Sequence, residues 1–233
     1  MRFGVVTFPG SNCEQDAVHA LRHLGYQADY IWHQDTDLNG FDAVVLPGGF
    51  SYGDYLRCGA VARFSPVMAE VVGYAESGRP VIGICNGFQV LTEAHLLPGA
   101  LIRNKGLKFL CQNVHLRVEE SVCKWVDLPA GTVLDIPISH NEGNYICDEE
   151  TLAGLQENAQ IVLRYCEPDG SRLSGGSAPN GALDDIAGIC NQRGNVFGLM
   201  PHPERVTDGV SGSKAGSVVF TAIATYAREV AGR

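Results

Sequence analysis

The sequence predicts an α/β fold: a single domain over residues 1–233, with three layers built on a doubly wound, mostly parallel sheet. Three observations predict it. Short, near-continuous apolar runs alternate with amphipathic stretches of helical spacing through residues 1–100, the rhythm of parallel strands covered by helices on both faces. Three of those runs end at Pro9-Gly10, Gly48-Gly49 and Cys85, which gathers their turns at the strand carboxyl ends, where doubly wound sheets carry their working loops. At 233 residues, with 45% apolar and 18% charged side chains, the chain can bury a large core without a second domain.

The elements follow in order. Residues 2–8 predict the first strand, ended by Pro9-Gly10. Ser11 or Asn12 can cap a helix whose apolar residues Ala17, Ala20, Leu21 and Leu24 share one face, with Gly25 as its stop. A second strand over 26–32 and a polar loop over 35–40 lead to a third strand at 42–46, which runs into Pro47-Gly48-Gly49. A helix over 61–76 carries Ala62, Val67, Val71 and Ala75 on its apolar side, and 80–84 forms the fourth strand. The second half is richer in strand, with runs at 115–119, 132–138 and 161–165. A turn-rich loop over 167–182 precedes a hairpin pairing 186–190 with 195–199 around Gln192-Arg193-Gly194, and a helix over 215–229 closes the chain.

Composition excludes several classes of function. A net charge of −9 and the lack of any basic cluster argue against a nucleic-acid partner. No apolar run approaches the ~20 residues of a membrane span, and Met1-Arg2 leads directly into a strand with no secretion signal. Eight cysteines without a C-x-x-C pair point to reduced thiols in the cytoplasm and against a structural zinc site, so no metal is expected.

The chemistry concentrates in a few places. Gly83-Ile84-Cys85-Asn86-Gly87 has the glycine spacing of a nucleophile elbow, with cysteine in the serine position. A sharp strand-to-helix turn would expose the sulfur, and the helix N-terminus favours its thiolate. On this segment alone, a nucleophile and a buried cysteine ending a core strand fit equally well. His202 follows an apolar strand, between Pro201 and Pro203, and in an extended segment Glu204 would project to the same side as His202. That pair has the logic of a base and its orienting acid, against the alternative of a solvated surface turn. Gly49 and the N–H of Asn86 are candidates for an oxyanion hole, although a tight turn would also explain the glycines. His19 and His23, at i and i+4, lie off the apolar face of their helix and read as solvated surface. His140 and Glu142 repeat the spacing of His202 and Glu204 without the prolines, so a substrate-facing loop and a second acid–base pair both remain open. Asp184-Asp185 reads as a solvated turn, and no nucleotide-binding glycine motif is present.

Together, Pro47-Gly48-Gly49-Phe50-Ser51-Tyr52-Gly53-Asp54, Gly83-Ile84-Cys85-Asn86-Gly87-Phe88-Gln89, His140-Asn141-Glu142-Gly143 and Met200-Pro201-His202-Pro203-Glu204-Arg205 resemble the class I (triad) glutamine amidotransferases. The likeness is strongest to the separate glutaminase subunits of purine biosynthesis. It begins at Phe8-Pro9-Gly10-Ser11-Asn12-Cys13 and covers nearly the whole chain. It implies Cys85 as nucleophile, His202 and Glu204 as the rest of the triad, and Gly49 as an oxyanion donor. It further implies L-glutamine as substrate, contacted by Phe50, Gln89, His140, Asn141 and Glu142. No cofactor is implied in this chain; ATP and Mg²⁺ would serve a partner synthetase subunit, accompanied by a further small subunit. Only residues 205–233 follow Glu204, too few for a synthetase domain, so the ammonia is expected to pass to another chain, docked near residues 50–57. One departure is Ala178-Pro179-Asn180-Gly181-Ala182, where relatives carry a tighter loop. Two rivals stand beside this reading. One is a stand-alone cysteine hydrolase; the other is a catalytically silent module that keeps the fold.

Overall fold

The elements expected in the first half are present in the computed structural model, which describes residues 1–125, 128–175, 177–210 and 212–232. Gly176, in the turn-rich loop, lies outside them. In chain order they are β1 (Arg2–Thr7), α1 (Glu14–His23), β2 (Gln27–Trp32), β3 (Ala43–Leu46), α2 (Pro66–Glu76), β4 (Val81–Ile84) and α3 (Asn86–Glu93). The second half adds β5 (Ala100–Ile102), β6 (Leu110–Val118), β7 (Val133–His140), β8 (Asn144–Ile146), α4 (Glu149–Glu157), β9 (Ile161–Cys166), β10 (Ile186–Cys190), β11 (Val196–Leu199) and α5 (Ala215–Ala231).

The main sheet has nine strands in the order β2-β1-β3-β4-β11-β10-β9-β6-β7. From β2 to β11 every pairing is parallel; from β11 outward every pairing is antiparallel. Every residue of β3, β4 and β11 is buried, as central strands covered by helices on both faces must be. β11 lies parallel to β4, with Leu199 opposite Ile84. The residues just past each strand, Cys85 and Met200, therefore leave the sheet at one edge. That register carries the site.

Several elements depart from their expected form. Neither Ser11 nor Asn12 caps α1; its N-cap is Cys13, without a side-chain cap. The Ser11 hydroxyl instead accepts the Phe8 N–H at 3.0 Å, and Ser11 bridges to Gly49. The helix expected over 61–76 is broken into a short 3₁₀ turn, Ala62–Phe64, and α2, with Ser65 extended between them at ψ 141°. Pro66 is the cause, since the residue before proline avoids the helical region while proline itself suits the first helical position. β7 runs on through Ser139 and His140, which therefore sit at a strand end, facing the site from the antiparallel side. The small β5–β8 ladder and α4 were not foreseen. Asp184 and Asp185 are not a solvated turn: Asp184 pairs with Arg164 and Arg172, both at 2.7 Å, and Asp185 approaches Arg172 at 3.9 Å. His19 and His23 are exposed, as expected.

Candidate active site

Cys85 occupies a backbone conformation that side chains avoid, φ 52° and ψ −106°, between β4 and α3. Such strain survives only where the surroundings enforce it. Here the Cys85 N–H donates to Leu199 O at 2.8 Å, while its carbonyl accepts from Phe88 N–H (3.0 Å) and Gln89 N–H (3.2 Å). Close approach of the helix to the sheet depends on Gly87, where a Cβ would sit 1.9 Å from the Leu46 carbonyl oxygen. The Cys85 sulfur faces Ser139 O at 3.8 Å, across to the end of β7.

His202 and Glu204 meet by a route different from the expected one. Pro203–Arg205 forms a 3₁₀ turn with His202 as its N-cap, so the pair closes through a turn rather than an extended segment, Pro203 taking the first helical position. His202 Nδ1 and Glu204 Oε1 are 2.5 Å apart, both side chains being almost entirely buried. Burial pulls the imidazole pKa down, but the Glu204 carboxylate and the Cys85 and Cys13 sulfurs outweigh it and hold it well above its usual value. His202 Nε2 is buried and has no hydrogen-bond partner among the described residues. Gly48 makes room for the ring, since a Cβ there would lie 2.8 Å from His202 Cε1.

Of the oxyanion candidates, Gly49 lines the cavity with Cys85, and Asn86 follows Cys85 directly in the chain. Gly49 has φ 134°, and a Cβ on it would meet Asn12 N at 2.7 Å; only glycine suits both demands. Asn86 opens α3, whose first N–H groups have no partner within the helix. The Asn86 side chain is structural. It accepts the Ser51 N–H at 3.2 Å and donates to Gln89 Oε1 at 2.8 Å and Asp54 Oδ1 at 3.4 Å, tying the elbow to the 50–54 segment.

A cavity of about 300 Å³ gathers Cys85 and His202 with Gly49, Phe50, Gln89, His140, Asn141 and Glu142. Every substrate contact expected from the sequence therefore lies on one wall or another. The Gln89 amide is already engaged, however, accepting from Asn86 and donating to Glu142 O at 2.5 Å. A groove of about 600 Å³ at the opposite sheet edge, lined by Ala75, Leu97, Asn158 and Arg193 among others, contains no thiol. The chemistry, not the volume, selects the smaller cavity.

Two asparagines missed in the sequence hold the cavity wall. Asn104 donates from Nδ2 to the carbonyls of Lys108 and His140, each at 2.9 Å, and accepts from Gly143 N–H at 3.0 Å. Its oxygen must then also accept from His140 Nδ1, at 3.1 Å, which fixes the proton on Nδ1. Burial and the neighbouring His202 charge push His140 down to about 4, so its ring is neutral and its buried Nε2 a bare acceptor. Asn180 donates to Gly143 O (2.7 Å) and Tyr165 Oη (3.1 Å), anchoring the unusual 178–182 loop. No local pattern flags either asparagine, because the contacts that hold the wall, to His140, Gly143 and Tyr165, reach 15 or more residues along the chain. Cys13 was noted only as part of the opening motif. Its sulfur, with His202 and Glu204, belongs to a buried cluster whose donor atoms lie within 4.8 Å of one another.

Comparison with known proteins extends this picture. Residues 1–219 match the family model of the CobB/CobQ-like glutamine amidotransferase domain. The chain is similar to "phosphoribosylformylglycinamidine synthase subunit PurQ" of Gloeobacter violaceus, 54% identical over 99% of this chain and 100% of that one. The Acaryochloris marina protein of the same description is 53% identical over 96% of this chain and 95% of its own. Among solved structures, a chain of PurLQS from Thermotoga maritima superposes with a TM-score of 0.85 at 41% identity, covering 97% of this chain and 98% of that one.

Proposed function

We propose that this chain, which belongs to the CobB/CobQ-like glutamine amidotransferase family, is the glutaminase subunit of a phosphoribosylformylglycinamidine synthase. In this role it hydrolyses L-glutamine to glutamate and passes ammonia to an ATP-dependent synthetase subunit, which converts formylglycinamide ribonucleotide to formylglycinamidine ribonucleotide. The relatives' descriptions support the assignment, and PurLQS supports a complex of synthetase, glutaminase and small subunit. One observation carries the chemistry: a strained Cys85 shares an amino-acid-sized cavity with His202, whose ring is paired with the buried Glu204 carboxylate.

The steps follow from that geometry. The Cys85 thiolate attacks the side-chain carboxamide carbon of glutamine. The N–H groups of Gly49 and Asn86 hold the resulting oxyanion, each worth roughly 3 kcal/mol if it acts as protease donors do. His202, held protonated by Glu204, gives its proton to the departing nitrogen as the C–N bond breaks. Ammonia leaves and a glutamyl thioester remains on Cys85. His202 then takes a proton from water, which attacks the thioester, and C–S cleavage releases glutamate and restores the Cys85 thiolate beside protonated His202. Neutral His140 offers its Nε2 as an acceptor in the same cavity.

No step needs a cofactor in this chain, and ATP and Mg²⁺ are assigned to the synthetase. The eight cysteines are unpaired, which suits the cytoplasm. Phe50 and Phe109 line the cavity and are exposed, and so are Tyr55 and Leu56, which lie between the cavity-lining residues Asp54 and Cys58; an apolar rim of this kind suits a docked partner over free solvent. The test is glutamate release, measured with and without the synthetase and its substrates, together with labelling by a glutamine-like electrophile. The expected results are release stimulated by the complex and label on Cys85. Unstimulated fast hydrolysis would support a stand-alone hydrolase, and absence of a fast thiol a silent module.

A further inference from the structure

The His202–Glu204 pair is shared with a second thiol. Cys13 Sγ, a nitrogen of His202 and a carboxylate oxygen of Glu204 lie within 4.8 Å of one another, and all three residues are buried. His202 Nε2 and Glu204 Oε2 have no hydrogen-bond partner among the described residues, although buried polar atoms are normally paired. Cys13 and His202 both line the cavity, so an ion from solvent reaches them without opening the fold. A thiolate, an imidazole and a carboxylate make a three-ligand zinc set with a fourth position left to water, and the sulfur selects against Mg²⁺ and Ca²⁺.

We propose that Cys13, His202 and Glu204 form a binding site for a thiophilic divalent cation of the zinc class, and that its occupancy silences the glutaminase. Zinc bonds of about 2.0–2.3 Å imply donor separations of roughly 3.5 Å, so Cys13 closes by up to about an ångström while the 2.5 Å contact between His202 and Glu204 opens by about as much. Binding displaces the Cys13 thiol proton and the proton on the ligating nitrogen of His202, both released to solvent. It also commits an imidazole nitrogen and the Glu204 carboxylate to the ion, so the proton transfers of the triad stop. Arg205 donates to Cys13 Sγ at 3.3 Å, and its charge opposes the cation. The site is accordingly weak enough to load and empty reversibly. Binding stands on the cluster alone; silencing rests on the triad reading above.

Cobalt(II), a zinc surrogate whose bond to thiolate absorbs in the near ultraviolet, separates the two parts. The full chain, Cys13→Ala, Cys13→Ser and Cys85→Ala are titrated with cobalt, each checked as folded by circular dichroism, and then with zinc. The expected band appears in the parent and in Cys85→Ala, is lost in both Cys13 variants, and is removed by zinc. Should the Cys13 variants unfold, Glu204→Gln must weaken cobalt binding at least tenfold with the band retained. Zinc should inhibit glutamate release by the synthetase complex, and EDTA should restore it. No band in the parent, a band surviving in folded Cys13 variants, a band lost in Cys85→Ala, or cobalt affinity unchanged in Glu204→Gln would overturn the site. A band with undiminished activity at saturating zinc would overturn the silencing and the triad reading while leaving the site intact.

Discussion

Two histidines of the same cavity are tuned in opposite directions, one by a facing carboxylate and the other chiefly by burial. His202 sees the Glu204 carboxylate and is held charged; His140 is buried and sees the charge of His202, which together push it down to about 4 and keep it neutral. The consequence for stability has a definite sign. The unfolded chain protonates His140 near 6.5 and the folded one near 4, so between those values the unfolded state binds more protons and stability falls as pH falls. The shift amounts to at most about 3 kcal/mol. The raised His202 contributes in the other direction: its stabilisation is complete below about 6.5 and fades only as pH rises through its elevated value. His140→Gln should therefore flatten the loss of stability between pH 6.5 and 4, as read by urea denaturation at each pH. An unaltered slope would mean that His140 is not the buried neutral group described.

At the scale of elements, the elbow depends on α3 lying almost on β3. Gly87→Ala would drive a methyl into the Leu46 carbonyl oxygen, and overpacking of this kind costs typically 1–3 kcal/mol. A thermal melt should show a drop of several degrees, with glutaminase activity lost in parallel as Cys85 is displaced; an unchanged melting temperature would refute the close packing. What was legible in the sequence follows from the range of the interactions. The hairpin of β10 and β11 and the alternation from β1 to α3 are written in short apolar runs and glycine turns, so they could be read directly. The helix expected over 61–76 runs straight through Pro66, although the residue before a proline avoids the helical region and marks the break. α4 could not be read so easily, because only Leu155 on it is fully buried and no apolar stripe results; its signal is the Asp148 cap, which accepts from Thr151 N–H at 2.8 Å. The catalytic candidates were legible because a turn chemistry marks each of them. Asn104, Asn180 and the Arg164–Asp184 pair were not, since each is defined by a partner 15 or more residues away.

Over the whole molecule, a chain of net charge −9 carries an exposed apolar rim on the segment between the cavity-lining residues Asp54 and Cys58, with Tyr55 at 72% and Leu56 at 80% exposure. A charge placed on that rim should oppose docking while leaving the interior untouched. Leu56→Asp is expected to weaken assembly with the synthetase at least tenfold in a sedimentation or pull-down titration, with the melting temperature of the isolated chain unchanged. Unaltered assembly would move the interface elsewhere. The parallel half of the sheet brings Cys85 and His202 to one edge, and the antiparallel half brings Ser139 and His140 to face them. The mixed sheet is thus what encloses the cavity. The role of Cys85 can be tested directly in the assembled complex, by comparing glutamine with ammonium chloride as the nitrogen source for Cys85→Ala. Loss of glutamine-dependent synthesis with ammonia-dependent synthesis retained is the predicted result; glutamine-dependent synthesis at the parent rate would contradict it.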